Sequence, residues 1–197
     1  MEHEIVVDGS EGSSIAADTI LSSEYDYISQ SAFQANEDRA RVSTYYIVTF
    51  GTLVAAMFSL QVGSQELANI HRALVVLFVT LTVFGLSTLL QLVRLRQAWM
   101  ESIRALNQIK AFYLKQHQDM RLEAAFLWGP RTVPSAYKPW SIAFLLALQV
   151  ALLGGVSLGA AVYFLSLLLG GAGWTLPVVA GSAYIAVQIG LYRYLLR

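Results

Sequence analysis

Cysteine is absent from the chain. That excludes disulfides, thiolate metal sites, lipidation on cysteine and quinone-linked thiol chemistry. Histidine is scarce: His3, His71 and His117 stand far apart, with no His–Glu helical spacing of the kind that holds zinc. No glycine-rich phosphate loop is present, and no serine elbow flanked by glycines. The acidic residues of the middle segment, Glu101, Asp119 and Glu123, offer no paired-carboxylate geometry. Neither an enzyme nor a cofactor, metal or nucleic-acid partner is expected.

Charge is scarce too. Only 13% of the residues are Asp, Glu, Lys or Arg, against roughly a quarter in ordinary soluble domains. Those charges are also segregated: none lies between Val42 and Gln65, between Ala73 and Val93, or between Pro139 and Tyr192. An uncharged apolar run of about 18 or more residues reads as a membrane-spanning helix, since about 20 residues of helix cross the hydrocarbon core. The third run is long enough for two crossings and breaks at Gly170-Gly171-Ala172-Gly173, after which Thr175 and Pro177 read as a helix start, with a capping hydroxyl and a proline in the first turn. Four spans follow: 44–62, 73–93, 140–169 and 174–192. The fold class expected is all-α, a polytopic membrane protein with a cytoplasmic antiparallel helical stalk.

The basic residues orient it. Of the 13 Lys and Arg, all but Arg72 fall on one side of a four-span chain. Lys and Arg accumulate on the cytoplasmic side, so both termini and residues 94–138 are expected in the cytoplasm of a bacterium, with the spans in its inner membrane. Tyr45, Tyr46, Trp140, Tyr192 and Tyr194 would mark the inner interface and Trp174 the outer one. No cleavable signal is visible, because the N-terminus is acidic and lacks an apolar core.

Outside the spans the charges complement each other. Residues 1–38 hold nine acidic side chains and no Lys or Arg, while 94–138 hold eight basic and three acidic. Residues 1–20 read as an acidic disordered tail. Residues 21–127 read as a helical hairpin comprising the first two spans and their extensions, 128–139 as a linker, and 140–197 as a second transmembrane hairpin. On the first extension Leu21, Tyr25, Ile28, Ala32, Ala35, Arg39, Val42 and Tyr46 alternate steps of four and three, the seam of a helix packed on another helix. On the second, Trp99, Ile103, Leu106, Lys110, Tyr113, His117, Met120, Ala124 and Leu127 do the same, up to the Gly129-Pro130 stop. The stalk seam is therefore placed at Tyr25, Ile28, Trp99, Ile103 and Tyr113. Glu37, Asp38, Arg39 and Arg41 are its charges at the membrane, with Glu37 four residues before Arg41 for an intrahelical pairing.

The lead "FQANEDRAR" into the first span, the short outer loop, and the second span running into "RLRQAWMESIRALNQIKAFY" resemble the SLATT-type effectors of bacterial conflict systems. The resemblance covers about residues 30–127 and is architectural. It implies a two-span hairpin with a cytoplasmic helix acting as a nucleotide-triggered membrane pore. This chain departs from that pattern by carrying spans three and four. It shows no fused sensor domain, so a trigger would come from a partner.

No ionisable residue lies inside any span, which disfavours proton-coupled transport and voltage sensing. The spans carry sparse polarity instead, most of it in the first two. Gln61, Gln91, Thr52, Thr80 and Ser87 are the candidates either for pore lining or for bonding between helices. In span three, Ala151, Gly155 and Gly159 recur every four residues and form a smooth face for close helix packing. The expected function is a homo-oligomeric effector or channel-like pore in membrane lipid, gated through its cytoplasmic helices. The alternative is a membrane-anchored scaffold whose stalk recruits a cytosolic protein partner.

Overall fold

The computed structural model describes residues 9–59, 67–117, 134–171 and 173–197, and the side-chain surroundings of 18–57, 68–116, 134–171 and 173–197. The acidic tail as far as residue 17, Gln61, the helix end expected over 118–127 and residues 128–133 of the expected linker lie outside the described side chains. Among the described residues every regular element is an α-helix. Its helices are α1 (Gly9–Ser59), α2 (Leu67–His117), α3 (Ile142–Leu168) and α4 (Thr175–Leu195).

Proline placement accounts for much of this division. Of four prolines, Pro130, Pro134 and Pro139 fall between α2 and α3, and Pro177 sits in the first turn of α4, where its missing N–H costs nothing. No proline interrupts α1 or α2, and each runs for 51 residues. Helix α3 begins on Ser141, whose hydroxyl accepts from the Phe144 N–H at 3.3 Å. Trp140, just outside it, holds a left-handed φ of 63°, so the helix starts two residues later than the span expected from residue 140. Its other end is closed by a Schellman motif. Gly170 takes φ 81°, its N–H reaches Leu167 O at 3.2 Å, and Gly171 N–H reaches Ser166 O at 2.8 Å. The capping role expected of Thr175 is corrected. Trp174 stands at the N-cap in a helical conformation with no side-chain cap, and Thr175 is already the first helical residue.

Among the described residues three helices are long and apolar enough to cross a membrane: Ala68–Gln116, Ile142–Leu168 and Thr175–Leu195. The remaining expected crossing, 44–62, runs past the end of α1 at Ser59.

The chain divides into two compact units, Met1–Gln34 with Ala98–Pro134, and Ala35–Gln97 with Ser135–Arg197. The second unit contains the apolar core. One cluster draws from all four helices: Tyr46 from α1, Leu89, Leu92 and Val93 from α2, Ala147 and Val150 from α3, and Tyr192 and Leu196 beside or within α4. Another packs Leu74, Phe78, Leu81 and Ala161 against Phe50, Leu53, Val54 and Met57, with the Phe78 and Phe164 rings stacked at 5.9 Å. In lipid such packing is held by dispersion and close approach, because the surrounding tails are as apolar as leucine.

Glycine sets the closest approaches. A Cβ on Gly155 of α3 would lie 2.8 Å from the Gly181 carbonyl of α4, and one on Gly159 3.1 Å from the Pro177 carbonyl. Ala151, one turn earlier on the same row, is fully buried. A Cβ on Gly85 of α2 would stand 2.6 Å from the Tyr46 hydroxyl and 3.6 Å from the Gly154 Cα, so this glycine admits the Tyr46 ring.

In the first unit Ala32, Met100, Leu106 and Asn107 are buried, and Ile28, Trp99, Ile103 and Tyr113 are half-buried. Tyr25, expected at the seam, is 38% exposed and lies at the rim. Met100, one residue after Trp99, takes the deeper position.

Candidate functional site

The polar residues of the second unit fall into three groups, separated by which way each helix position faces. The first group faces outward. Thr52 on α1 and Thr80, Ser87 and Gln91 on α2 are all exposed. The α2 residues continue a stripe through Val76, Val83 and Arg94 at steps of three and four, one face of a helix. Thr80 donates to its own helix at Val76 O, 2.8 Å away. Toward the Arg41–Arg94 end, Asp38, Arg41 and Tyr45 of α1 and Ser87, Gln91 and Arg94 of α2 border a groove of about 660 Å³. Arg41 stands 3.8 Å from Glu37 and 4.0 Å from Asp38. These are exposed one-turn pairs, and such pairs contribute at most a few tenths of a kcal/mol.

The second group faces inward. Tyr46, Ser157 and Gln188 are almost completely buried, as are Thr82 and Thr88. Two phenols bond between helices: Tyr184 donates to Thr82 O at 2.9 Å and Tyr46 to Leu81 O at 3.4 Å. The hydroxyls of Thr82, Thr88 and Ser157 turn back onto Phe78 O, Phe84 O and Leu153 O of their own helices. Such back-bonding satisfies a hydroxyl in a helix without a second helix. Gln188 differs from them: neither polar atom of its buried amide makes a hydrogen bond of normal geometry, although the amide lies against the Tyr184 phenol. Of the aromatics expected at the interfaces, Tyr46 and Tyr192 turn into the core, whereas Tyr45, Trp140, Tyr194 and Trp174 are exposed. The signal for Tyr46 was present in its place on the 39–42–46 seam.

The third group holds charge. Arg39 is 6% exposed and Arg96 8%. Arg96 donates from Nε to Ala136 O at 3.1 Å and from Nη2 to Ser135 O at 3.2 Å. Arg39 donates from Nη2 to Asn36 Oδ1, one turn before it. Its Nε is buried without a partner, and so is the Ser43 hydroxyl one turn further along α1. Burial, and after it the Arg96 guanidinium, hold Arg39 below the ordinary arginine value. Burial lowers Arg96 as well, against a raising effect of the Tyr192 phenol. The sequence placed Arg39 among the membrane-proximal charges but carried no sign that Arg96 would be buried beside it.

No cluster of three or more metal-ligating side chains occurs among the described residues. The class of molecule is thus an all-helical protein with helices fit to cross a membrane. Comparison with protein-family models, with curated proteins and with solved structures finds no match.

Proposed function

We propose that the chain is a multi-pass protein of the bacterial inner membrane that assembles from several copies, with the outer faces of α1 and α2 turned toward a common axis and lining a polar path. One observation carries this reading: Thr52, Ser87 and Gln91 lie, with the back-bonded Thr80, on the exposed side of neighbouring helices and not in the bundle interior. An amide or hydroxyl facing hydrocarbon loses its hydrogen bonds, and each unsatisfied group costs several kcal/mol. A second copy or a water-filled path removes that cost. With 44–62 as the first crossing the chain spans four times, and the basic residues put both termini and residues 94–138 in the cytoplasm. That is the side from which the pore-forming hairpins it resembles would be gated.

The test is ion flux from purified protein in liposomes, together with cross-linking in membranes. Gln91→Leu is expected to abolish flux while the assembly persists. A monomer in detergent that also fails to cross-link in membranes removes the pore.

A second reading, a membrane-anchored scaffold, is favoured by exposed aromatics in the first unit: Tyr27 and Phe33 on α1 are 68% and 66% exposed, and Phe112 on α2 52%. Exposed aromatic rings are the usual anchors of protein interfaces.

A further inference from the structure

We propose that Arg39, Ser43 and Arg96 form a binding site for a phosphate oxyanion, supplied by the headgroup of an anionic phospholipid. The inference does not depend on the chain forming a pore.

The argument starts from an unbalanced charge. A guanidinium stays protonated at any pH a cell reaches, so burying one requires compensation, and the desolvation cost of an uncompensated buried ion is several kcal/mol. Arg39 is nine-tenths buried, and its hydrogen-bonding partner is the neutral Asn36 amide. The carboxylates nearest in sequence, Glu37 and Asp38, belong to another face of α1, where they pair with Arg41. The groups that bear on Arg39 are the Arg96 guanidinium, which opposes its charge, and to a smaller degree the Tyr192 phenol, which favours it but is neutral at cellular pH. A buried Arg39 whose Nε has no acceptor, with a second guanidinium beside it, calls for an anion.

The hydrogen-bonding inventory describes that anion. Arg39 Nε and Ser43 Oγ are both buried and both lack a partner. They lie four residues apart, on one face of α1. One N–H donor and one hydroxyl beside two guanidinium groups suit an oxyanion with several acceptor oxygens, and Arg–phosphate contacts are among the strongest charge-assisted bonds. Depth selects the source. Arg39 precedes the first expected span by five residues, Arg96 follows the second by three, and Tyr192 closes the last. That is the level of lipid phosphates, where basic pockets between membrane helices take anionic headgroups. Phosphatidylcholine carries its own cation and is neutral overall, so it offsets none of the buried positive charge, whereas a lipid of net negative charge does; the latter is preferred.

The experiment uses the full chain in neutral maltoside detergent. The unfolding temperature is followed while dioctanoyl phosphatidylglycerol, dioctanoyl phosphatidylcholine or inorganic phosphate is titrated in. Phosphatidylglycerol is expected to raise the unfolding temperature saturably and phosphatidylcholine to do so much less. Arg39→Gln loses the response, and Arg104→Gln, an exposed change of equal charge, keeps it. If Arg39→Gln does not fold, Ser43→Ala retains the buried charge and is expected to weaken the apparent affinity about tenfold. Saturable stabilisation by inorganic phosphate as strong as that by phosphatidylglycerol upholds the oxyanion site but overturns the lipid source. No response to either anion, a response in Arg39→Gln equal to that of the unsubstituted chain, or unchanged affinity in Ser43→Ala overturns the site.

Discussion

The inward and outward polar residues of the second unit are of the same chemical kinds, yet they are treated differently. Inside, Tyr184 and Tyr46 tie α4 and α1 to backbone carbonyls of α2, and the buried threonines are closed onto their own helices. Outside, Thr52, Ser87 and Gln91 lie on the exposed face of α1 and α2. The difference teaches that polarity in a membrane helix has no single meaning. A phenol that meets a carbonyl of another helix holds the fold, whereas an outward hydroxyl such as Thr80, closed onto Val76 O, adds nothing between the helices of the single chain.

The largest effect that would break this distinction is on Tyr46. Its ring is fully buried in the core cluster, edge-on to Phe84 at 5.6 Å and seated over Gly85. Tyr46→Ala is expected to cost about 3–5 kcal/mol, the range for emptying an aromatic core position. Unfolding by titration with SDS measures it. A loss under about 1 kcal/mol would place the ring outside the bundle. Next comes Gly155→Leu. The Gly181 carbonyl stands where the new side chain must begin, so α3 and α4 have to part, at roughly 1–3 kcal/mol or more. Gly190→Leu on α4, which meets open space, is the matched control and is expected to be nearly neutral by the same titration.

How far these faces were readable from the sequence depends on what was contrasted. Charge gaps locate stretches of apolar helix, because a charge in hydrocarbon is so costly. The runs 140–169 and 174–192 correspond to helices Ile142–Leu168 and Thr175–Leu195. The mismatches sit at the ends, where local backbone decides: Trp140 turns left-handed, and Trp174 displaces Thr175 from the cap. Ahead of the first span, the four-and-three steps on α1 pass through Ala32, Ala35 and Arg39, which are buried, and Tyr25, which is not. Within the spans the contrast between polar and apolar faces disappears, since both are apolar. Nothing in the sequence separates Thr80, which is exposed, from Thr82, which is buried two residues on. What separates them is a partner, the Tyr184 hydroxyl reaching Thr82 O from 102 residues away, and no local pattern encodes it.

That bond gives a smaller, sharper test. Tyr184→Phe removes one interhelical hydrogen bond and keeps the ring. In membrane bundles such a bond contributes on average about 0.6 kcal/mol. A loss of that size, measured by SDS titration and confined to the unfolding midpoint, assigns Tyr184 to holding α4 on α2. A loss of several kcal/mol would mean that the hydroxyl organises more than the Thr82 carbonyl.

The smallest expected effect is also the most discriminating, because it compares two glutamines. Gln188 is buried with neither end of its amide in a hydrogen bond of normal geometry, whereas Gln91 is exposed on the stripe. A buried polar group without such a bond carries its full desolvation cost, on the order of 1–3 kcal/mol. Gln188→Leu, close in volume, removes that cost and is expected to leave stability unchanged or raise it by up to about 1 kcal/mol. Gln91→Leu is expected to be equally mild in the isolated chain, since it removes no bond within the bundle. The two should part in the liposome flux assay. If the outer stripe lines the path, Gln91→Leu abolishes flux and Gln188→Leu retains it. The reverse pattern would put the conducting route through the interior of a single bundle, past Tyr46, Ser157 and Gln188, and the outer stripe would become an ordinary lipid-facing surface. A marked destabilisation by Gln188→Leu, on the order of 2 kcal/mol in the SDS titration, would show that the amide has a partner after all, such as a bound water joining it to the Tyr184 or Ser157 hydroxyl.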